Sequence, residues 1–238
     1  MPEKPFKFKE FTVIQDKCAM KVGTDGVLLG AWVNIDPRVE SILDVGTGSG
    51  LIALQMAQRS DAELIDALEI ETNAFEQAVE NFENSDWSDR LFCYHASLQE
   101  FGEEIDEKYD LIISNPPYFN DSFKVLTEDR AIARHTGSLN FHELLSACAK
   151  LLAEKGSCAF IIPFKEEENF VQIAKNNGLY PSRITRVRGN SKSALKRSLL
   201  QLCSKGKSAV INELTIELER HVYTASYIDI VKNFYLKL

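Results

Sequence analysis

Three glycines within five residues, Gly46-Thr47-Gly48-Ser49-Gly50, separate two segments of opposite pattern. Ahead of them, Ser41-Ile42-Leu43-Asp44-Val45 is a short apolar run that reads as a buried strand. Behind them, Leu51 to Arg59 spaces its apolar residues as a helix does (Leu51, Leu54 and Ala57 with Ile52 and Met56). Glycines at a strand-to-helix turn admit positive φ and let the backbone approach a ligand closely. Further apolar runs at 63–68, 91–95, 110–114 and 157–162 alternate with helix-patterned stretches at 72–84, 141–153 and 165–177. That alternation predicts an α/β fold with a mostly parallel sheet and helices on both faces. Runs at 182–188, 197–204 and 208–218 follow without long helices between them, which suggests an antiparallel hairpin finishing the sheet before a last helix at 224–232. A chain of 238 residues suits one such domain, 1–238, with 1–40 as an N-terminal extension and 41–238 as its core.

The glycine spacing narrows the ligand. It is G-x-G-x-G, with Leu51 where a dinucleotide fingerprint would carry its third glycine, a poor fit to NAD or FAD; a G-x-x-x-x-G-K-S/T phosphate loop is absent too. The next strand, Leu64-Ile65-Asp66-Ala67-Leu68, runs into Glu69, 19 residues beyond Gly50. An acid at that strand end is placed to accept the hydroxyls of a ribose. A lone Glu is more usually a solvated surface acid, and the strand-end position is what favours the ribose role. Glu71 suits the start of the following helix, where a negative charge is favoured.

A second corner lies behind the run Asp110-Leu111-Ile112-Ile113-Ser114, in Asn115-Pro116-Pro117-Tyr118. Two prolines remove two backbone donors and hold φ near −65°. Two acceptors remain exposed, the Asn115 side-chain oxygen and the Pro116 carbonyl, with an aromatic face next to them. Such a corner suits a planar group bearing an NH2. Taken alone, the same four residues equally describe an ordinary turn after a strand.

In this order, Asp44-Val45-Gly46-Thr47-Gly48-Ser49-Gly50, Glu69 and Asn115-Pro116-Pro117-Tyr118 resemble the class I S-adenosylmethionine-dependent methyltransferases that modify exocyclic or amide nitrogens. The upstream stretch from Cys18 to Trp32, with Lys21-Val22-Gly23-Thr24-Asp25-Gly26, is similar to the N-terminal motif of the bacterial tRNA1(Val) adenine-N6 methyltransferases. So are Tyr223-Thr224-Ala225-Ser226-Tyr227 and Asn233-Phe234-Tyr235-Leu236 at the other end, and the likeness spans essentially the whole chain. The resemblance implies a Rossmann-like, seven-stranded sheet of order 3-2-1-4-5-7-6 with an antiparallel last strand. It implies S-adenosyl-L-methionine as cofactor, held by Asp44, Gly46, Thr47, Gly48, Gly50, Glu69 and Asn115. It also implies a catalytic corner formed by Asn115, Pro116, Pro117 and Tyr118. Ser97 stands where many adenine methyltransferases of this class carry an Asp contacting the cofactor's adenine; it can hydrogen-bond there, neutrally and with shorter reach.

Charge bears on the partner. The net charge of −8 repels phosphate on average, yet between Phe170 and Asn212 there are nine basic residues and no acid. This segregation points to RNA contact, with Arg183, Arg186, Arg188, Lys192 and Arg197 as candidates and Lys21 as a further one; a chance cluster on solvated strand edges is the competing reading. Phe6, Phe8 and Phe11, interleaved with lysines, fit base stacking or a short strand of period two. The span 119–140 reads as a loop that orders over the substrate. Five cysteines without a C-x-x-C read as buried free thiols, and four scattered histidines make a metal site improbable. Apolar stretches fall short of a bilayer span and the N-terminus has no signal-peptide core, so a cytoplasmic monomer is expected.

The rivals lose on architecture. Glutamine-N5 methyltransferases of release factors share the Asn-Pro-Pro-Tyr signature but resemble one another in a sizeable helical domain ahead of the catalytic one, and only 40 residues precede the first strand here. DNA adenine methyltransferases usually insert a target-recognition domain for which this chain has no room. A non-catalytic RNA-binding module of the same fold conflicts with an intact glycine turn, acid and corner.

Overall fold

The computed structural model describes residues 4–117, 140–206 and 208–237; Tyr118, Phe119, the rest of the expected substrate loop to residue 139, and Lys207 lie outside them. After two short strands, β1 (Phe6–Lys7) and β2 (Thr12–Val13), and helix α1 (Thr24–Trp32), the chain alternates. It runs β3 (Ser41–Val45), α2 (Leu51–Arg59), β4 (Leu64–Glu69), α3 (Thr72–Glu83), β5 (Leu91–His95), α4 (Leu98–Glu104), β6 (Tyr109–Ser114), α5 (Phe141–Leu151), β7 (Leu152–Pro163) and α6 (Glu167–Asn176). The end is β8 (Tyr180–Asn190), β9 (Leu195–Cys203), β10 (Val210–Glu219), β11 (Val222–Tyr223) and α7 (Ala225–Val231).

The main sheet has the order β11-β10-β8-β9-β7-β6-β3-β4-β5. Counting only β3 to β9, that is 3-2-1-4-5-7-6, the order the resemblance implied, with β9 antiparallel to both its neighbours. Strands β3, β4 and β6, and β7 from Cys158 on, are buried on both faces, which is why they read as continuous apolar runs, whereas β5 at the sheet edge leaves Phe92 and Tyr94 exposed. Alternate residues feed different layers. Ile42, Leu111, Ile113 and Ile161 join one core with α1, α2 and α7, while Leu43, Ile112, Phe160 and Ile162 join the other with α5 and α6.

The expected antiparallel hairpin is present as β8 and β9. One expectation needs correction: the described residues form a sheet of nine strands rather than seven, because β10 and β11 add outside that hairpin. Both edges of β9 are taken, by β7 and β8, so the chain passes beyond β8 and lies parallel to it, Val210 opposite Arg183 and Glu217 opposite Asn190. Helix α1, unassigned from sequence because it is apolar nearly all round, has seven buried residues from Gly26 to Trp32 and packs on α2.

The N-terminal phenylalanines go inward. Phe8 and Phe11 stack at 4.7 Å between centroids and are 4% and 6% exposed, and Phe8 bridges to Tyr235 near the C-terminus. They are core residues, not stacking surfaces for RNA. The five cysteines are all free; Cys18, Cys148 and Cys158 are buried.

Candidate active site

The carboxyl ends of β3, β4 and β6 converge, and the glycine turn closes over them. Gly46 and Thr47 donate their N–H groups to the Leu68 carbonyl at 2.9 and 3.0 Å, tying the turn to the end of β4. Gly48 and Gly50 have φ of 59° and 83°, a left-handed conformation that side chains disfavour. A Cβ on Gly48 would meet nothing within 4 Å, so the turn faces open space there, whereas one on Gly50 would lie 2.5 Å from the Phe82 ring.

Glu69 is buried and already engaged. Its carboxylate accepts from the N–H groups of Gly48, Ile70 and Glu71, each at 2.9 Å. Three of roughly four acceptor sites are thereby used. Asp44 sits beneath the turn and is fully buried. One oxygen accepts from the Thr47 hydroxyl at 2.5 Å and from the Ala53 N–H at 3.2 Å; the other has no partner among the described residues. It braces the turn from below. Burial pushes its carboxyl up to about 7, against the downward pull of those two bonds.

Ser97 is the N-cap of α4. Its hydroxyl accepts from the Glu100 N–H, and the Glu100 carboxylate accepts from the Ser97 N–H, a reciprocal capping box. The serine is committed to the helix start. Glu71 likewise caps α3, accepting from the Asn73 and Ala74 N–H groups.

Around the corner, the Ser114 hydroxyl donates to the Val45 carbonyl at 2.7 Å, pinning the end of β6 to β3. Asn115 is half-buried, Pro116 buried and Pro117 exposed; Tyr118 lies outside the described residues. These three residues, the turn Gly46–Ser49 and the first turn of α1 line one concavity of about 420 Å³. Lys21 and Thr24 to Gly26 form its third wall. Asp44, Gly50, Glu69 and Ser97 do not line it. Beyond Lys21, the α1 wall was missed as a site from sequence, although the Gly23-Thr24-Asp25-Gly26 string carried the signal. A groove of similar size between α4 and α5, lined by Gln99, His142 and Lys150, contains none of these groups.

The basic segment looks different once folded. Arg186 is clamped at 2.7 Å by the buried Glu167, Arg188 pairs with Glu213, and Arg197 meets Asp25 at 2.7 Å. Arg183 lies 4.4 Å over the Trp32 ring and donates to the Trp32 carbonyl, at the end of α1 remote from the concavity. Acids outside the stretch therefore neutralise three of its four arginines. Lys192 and Lys196 remain exposed near the carboxyl edge of the sheet.

Residues 26–166 match the family model described as the methyltransferase small domain. A protein of Christiangramia forsetii named tRNA1(Val) (adenine(37)-N6)-methyltransferase is 55% identical over 240 residues, covering 100% of both chains. The chain belongs to the tRNA1(Val) (adenine(37)-N6)-methyltransferase family. Among solved structures, a predicted O-methyltransferase of Agrobacterium tumefaciens superposes with a TM-score of 0.68 at 19% identity, over 88% of this chain and 96% of that one. M. jannaschii TYW2, crystallised with AdoMet, gives 0.56 at 15%, over 84% and 85%. Both share the fold.

For a member of this methyltransferase family, the site must take a methyl-donor cofactor, and the residues present fit S-adenosylmethionine. The space in front of Gly46 and Gly48 would be filled by any Cβ, Glu69 keeps an acceptor site, and the concavity continues to the Asn115 corner. The Asp44 carboxyl supplies a test of the turn's electrostatics. Its native value, about 7 against an ordinary 3.8, means the folded protein retains a proton that the unfolded chain has already released. That contribution to stability is therefore complete below pH 4, falls as pH rises to about 7, and is level above. Asp44→Asn is expected to flatten the wild-type decline, by at most about 4 kcal/mol between pH 4 and 8. Urea unfolding of both proteins at several pH values measures it; parallel curves would place the charge on Asp44 throughout.

Proposed function

We propose that this chain transfers a methyl group from S-adenosylmethionine to N6 of the adenine just 3′ of the anticodon in tRNA1(Val), in the cytoplasm. The observation that carries this reading is the Asn115-Pro116-Pro117 corner sharing one concavity with the glycine turn. The full-length relatives bearing that substrate in their names supply the RNA.

The cofactor would be held by Gly46, Thr47 and Gly48 with Glu69 toward its ribose; bound there, it supplies an activated methyl on a sulfonium. The protein's own part is positioning. An adenine stacked in the anticodon loop must turn outward to enter. Tyr118 stacks on it, a contact of ~1–3 kcal/mol per base. The Asn115 side-chain oxygen and the Pro116 carbonyl accept the two N6 hydrogens. An aromatic amine is a weak nucleophile because its lone pair is delocalised into the ring. The two acceptors draw the nitrogen toward tetrahedral geometry and stabilise the positive charge that develops on it. Holding nitrogen and methyl in line supplies much of the rest. The proton can leave after transfer, so a general base in the site is not required.

RNA attraction falls to Lys192 and Lys196 more than to the paired arginines. Lys192→Ala with Lys196→Ala is expected to weaken tRNA binding and lower the magnitude of the slope of log K against log salt by about 0.7–0.9 per residue lost. Arg183→Ala should leave that slope unchanged. Binding measured from 50 to 300 mM salt separates the two, and a slope lost with Arg183 instead would return the interface to that end of β8.

Labelled methyl transfer to total tRNA, total rRNA and purified release factor, followed by nucleoside analysis, tests the function. N6-methyladenosine in a valine tRNA is expected. Methylglutamine in protein would keep the fold and overturn the substrate, and cofactor binding with no product anywhere would favour a binding module.

A further inference from the structure

Helix α1 is fastened differently at its two ends. At its carboxyl end Arg59 donates to the Gly30 and Val33 carbonyls at 2.6 and 2.9 Å, and Arg183 to that of Trp32. These bonds complete carbonyls that a helix end leaves open. At its amino end the N-cap is Gly23, without a side-chain cap. This first turn nevertheless forms a wall of the site. A Cβ on Gly26 would lie 3.1 Å from Leu51 and 3.9 Å from the Asn115 amide nitrogen, so the turn is packed close against the corner. The contact that reaches this turn from across the sheet is Arg197 Nε to Asp25 Oδ2 at 2.7 Å. Arg197 is the third residue of β9 and the cross-strand partner of Pro163 at the end of β7; Lys196 precedes it in the strand and Lys192 lies in the turn before.

We propose that Asp25 and Arg197 are positioning residues: their ion pair holds the first turn of α1 against Asn115 and connects the corner to the β8–β9 turn that faces RNA. The proposal rests on the methyl-transfer reading above for its kinetic consequence, though not for the geometry. It differs from a phosphate contact by Arg197, which charge segregation alone would suggest, because Asp25 already accepts from its Nε and the Lys196 carbonyl from its Nη1. Both side chains are about one-third exposed, 31% and 29%, so the pair's effect lies in placement more than in stability. Displacement of an aligning group by about 1 Å can cost up to about 100-fold in rate.

The test is a double-mutant cycle, Asp25→Asn, Arg197→Met and both together, with kcat, KM for tRNA and its salt slope measured separately. Each single variant is expected to lose about tenfold or more in kcat, the double variant no more than either, and the salt slope to stay at the wild-type value. Arg197→Lys should recover part of the loss. Hydrogen–deuterium exchange, which needs no turnover, should show faster exchange confined to the first turn of α1 in both single variants, with the rest of the helix protected. A reduced salt slope and raised KM for Arg197→Met alone, with Asp25→Asn unaffected, would overturn the proposal in favour of a phosphate contact. Unchanged exchange in the first turn would overturn it as well. Absence of activity in the wild type would instead count against the substrate reading, and the exchange experiment would still decide the pair.

Discussion

Asn115→Ala is expected to lower methyl transfer to tRNA about 10²–10³-fold while leaving cofactor affinity within a few-fold of wild type. The magnitude is that of removing one preorganised group that stabilises transition-state charge. Affinity should persist because the turn's anchors are elsewhere: Gly46 and Thr47 on the Leu68 carbonyl, Gly48 on Glu69, Thr47 on Asp44. The pinning of β6 to β3 through Ser114 and Val45 is also untouched. Single-turnover rates and calorimetric binding of S-adenosylhomocysteine measure the two quantities separately. Equal losses in both would move Asn115 from the substrate corner to the cofactor.

Gly50→Ala is expected to be the most damaging single methyl in the site. At φ of 83° an L residue costs roughly 1–2 kcal/mol. The added carbon would also press to 2.5 Å from the Phe82 ring, a core residue 2% exposed, and overpacking of that kind costs about 1–3 kcal/mol. A loss of about 2–5 kcal/mol is therefore expected in chemical denaturation, with cofactor affinity falling too because Gly50 leads into α2 directly behind the turn. The companion Phe82→Leu with Gly50→Ala should recover the packing part only. Full recovery would show that the backbone conformation carries no strain.

Much of the site was legible in local sequence. The glycine turn, the strand-end Glu69 and the Asn115 corner each depend on residue types within a few positions of one another. An unbroken apolar run also declares a strand buried on both faces. Less could be read where a residue's role depends on what lies across the fold. Ser97 carried a cofactor role by analogy; that it also caps α4 through Glu100, three residues on, was not read from the sequence. Phe6, Phe8 and Phe11 were equally consistent with RNA stacking until Tyr235 met Phe6 and Phe8, and Trp87 met Phe11. The arginines of the acid-free segment looked free because Glu167 and Asp25 lie outside it and Glu213 just beyond its end.

The sequence alone determined the α/β alternation, the ligand-facing turn and the chemical character of the corner, because these are set by backbone preference and by period. Tertiary structure decided which charges remain exposed, where β10 docks and that α1 walls the site. Those outcomes depend on pairings between residues up to 172 positions apart, as between Asp25 and Arg197, and no local pattern encodes such a partner.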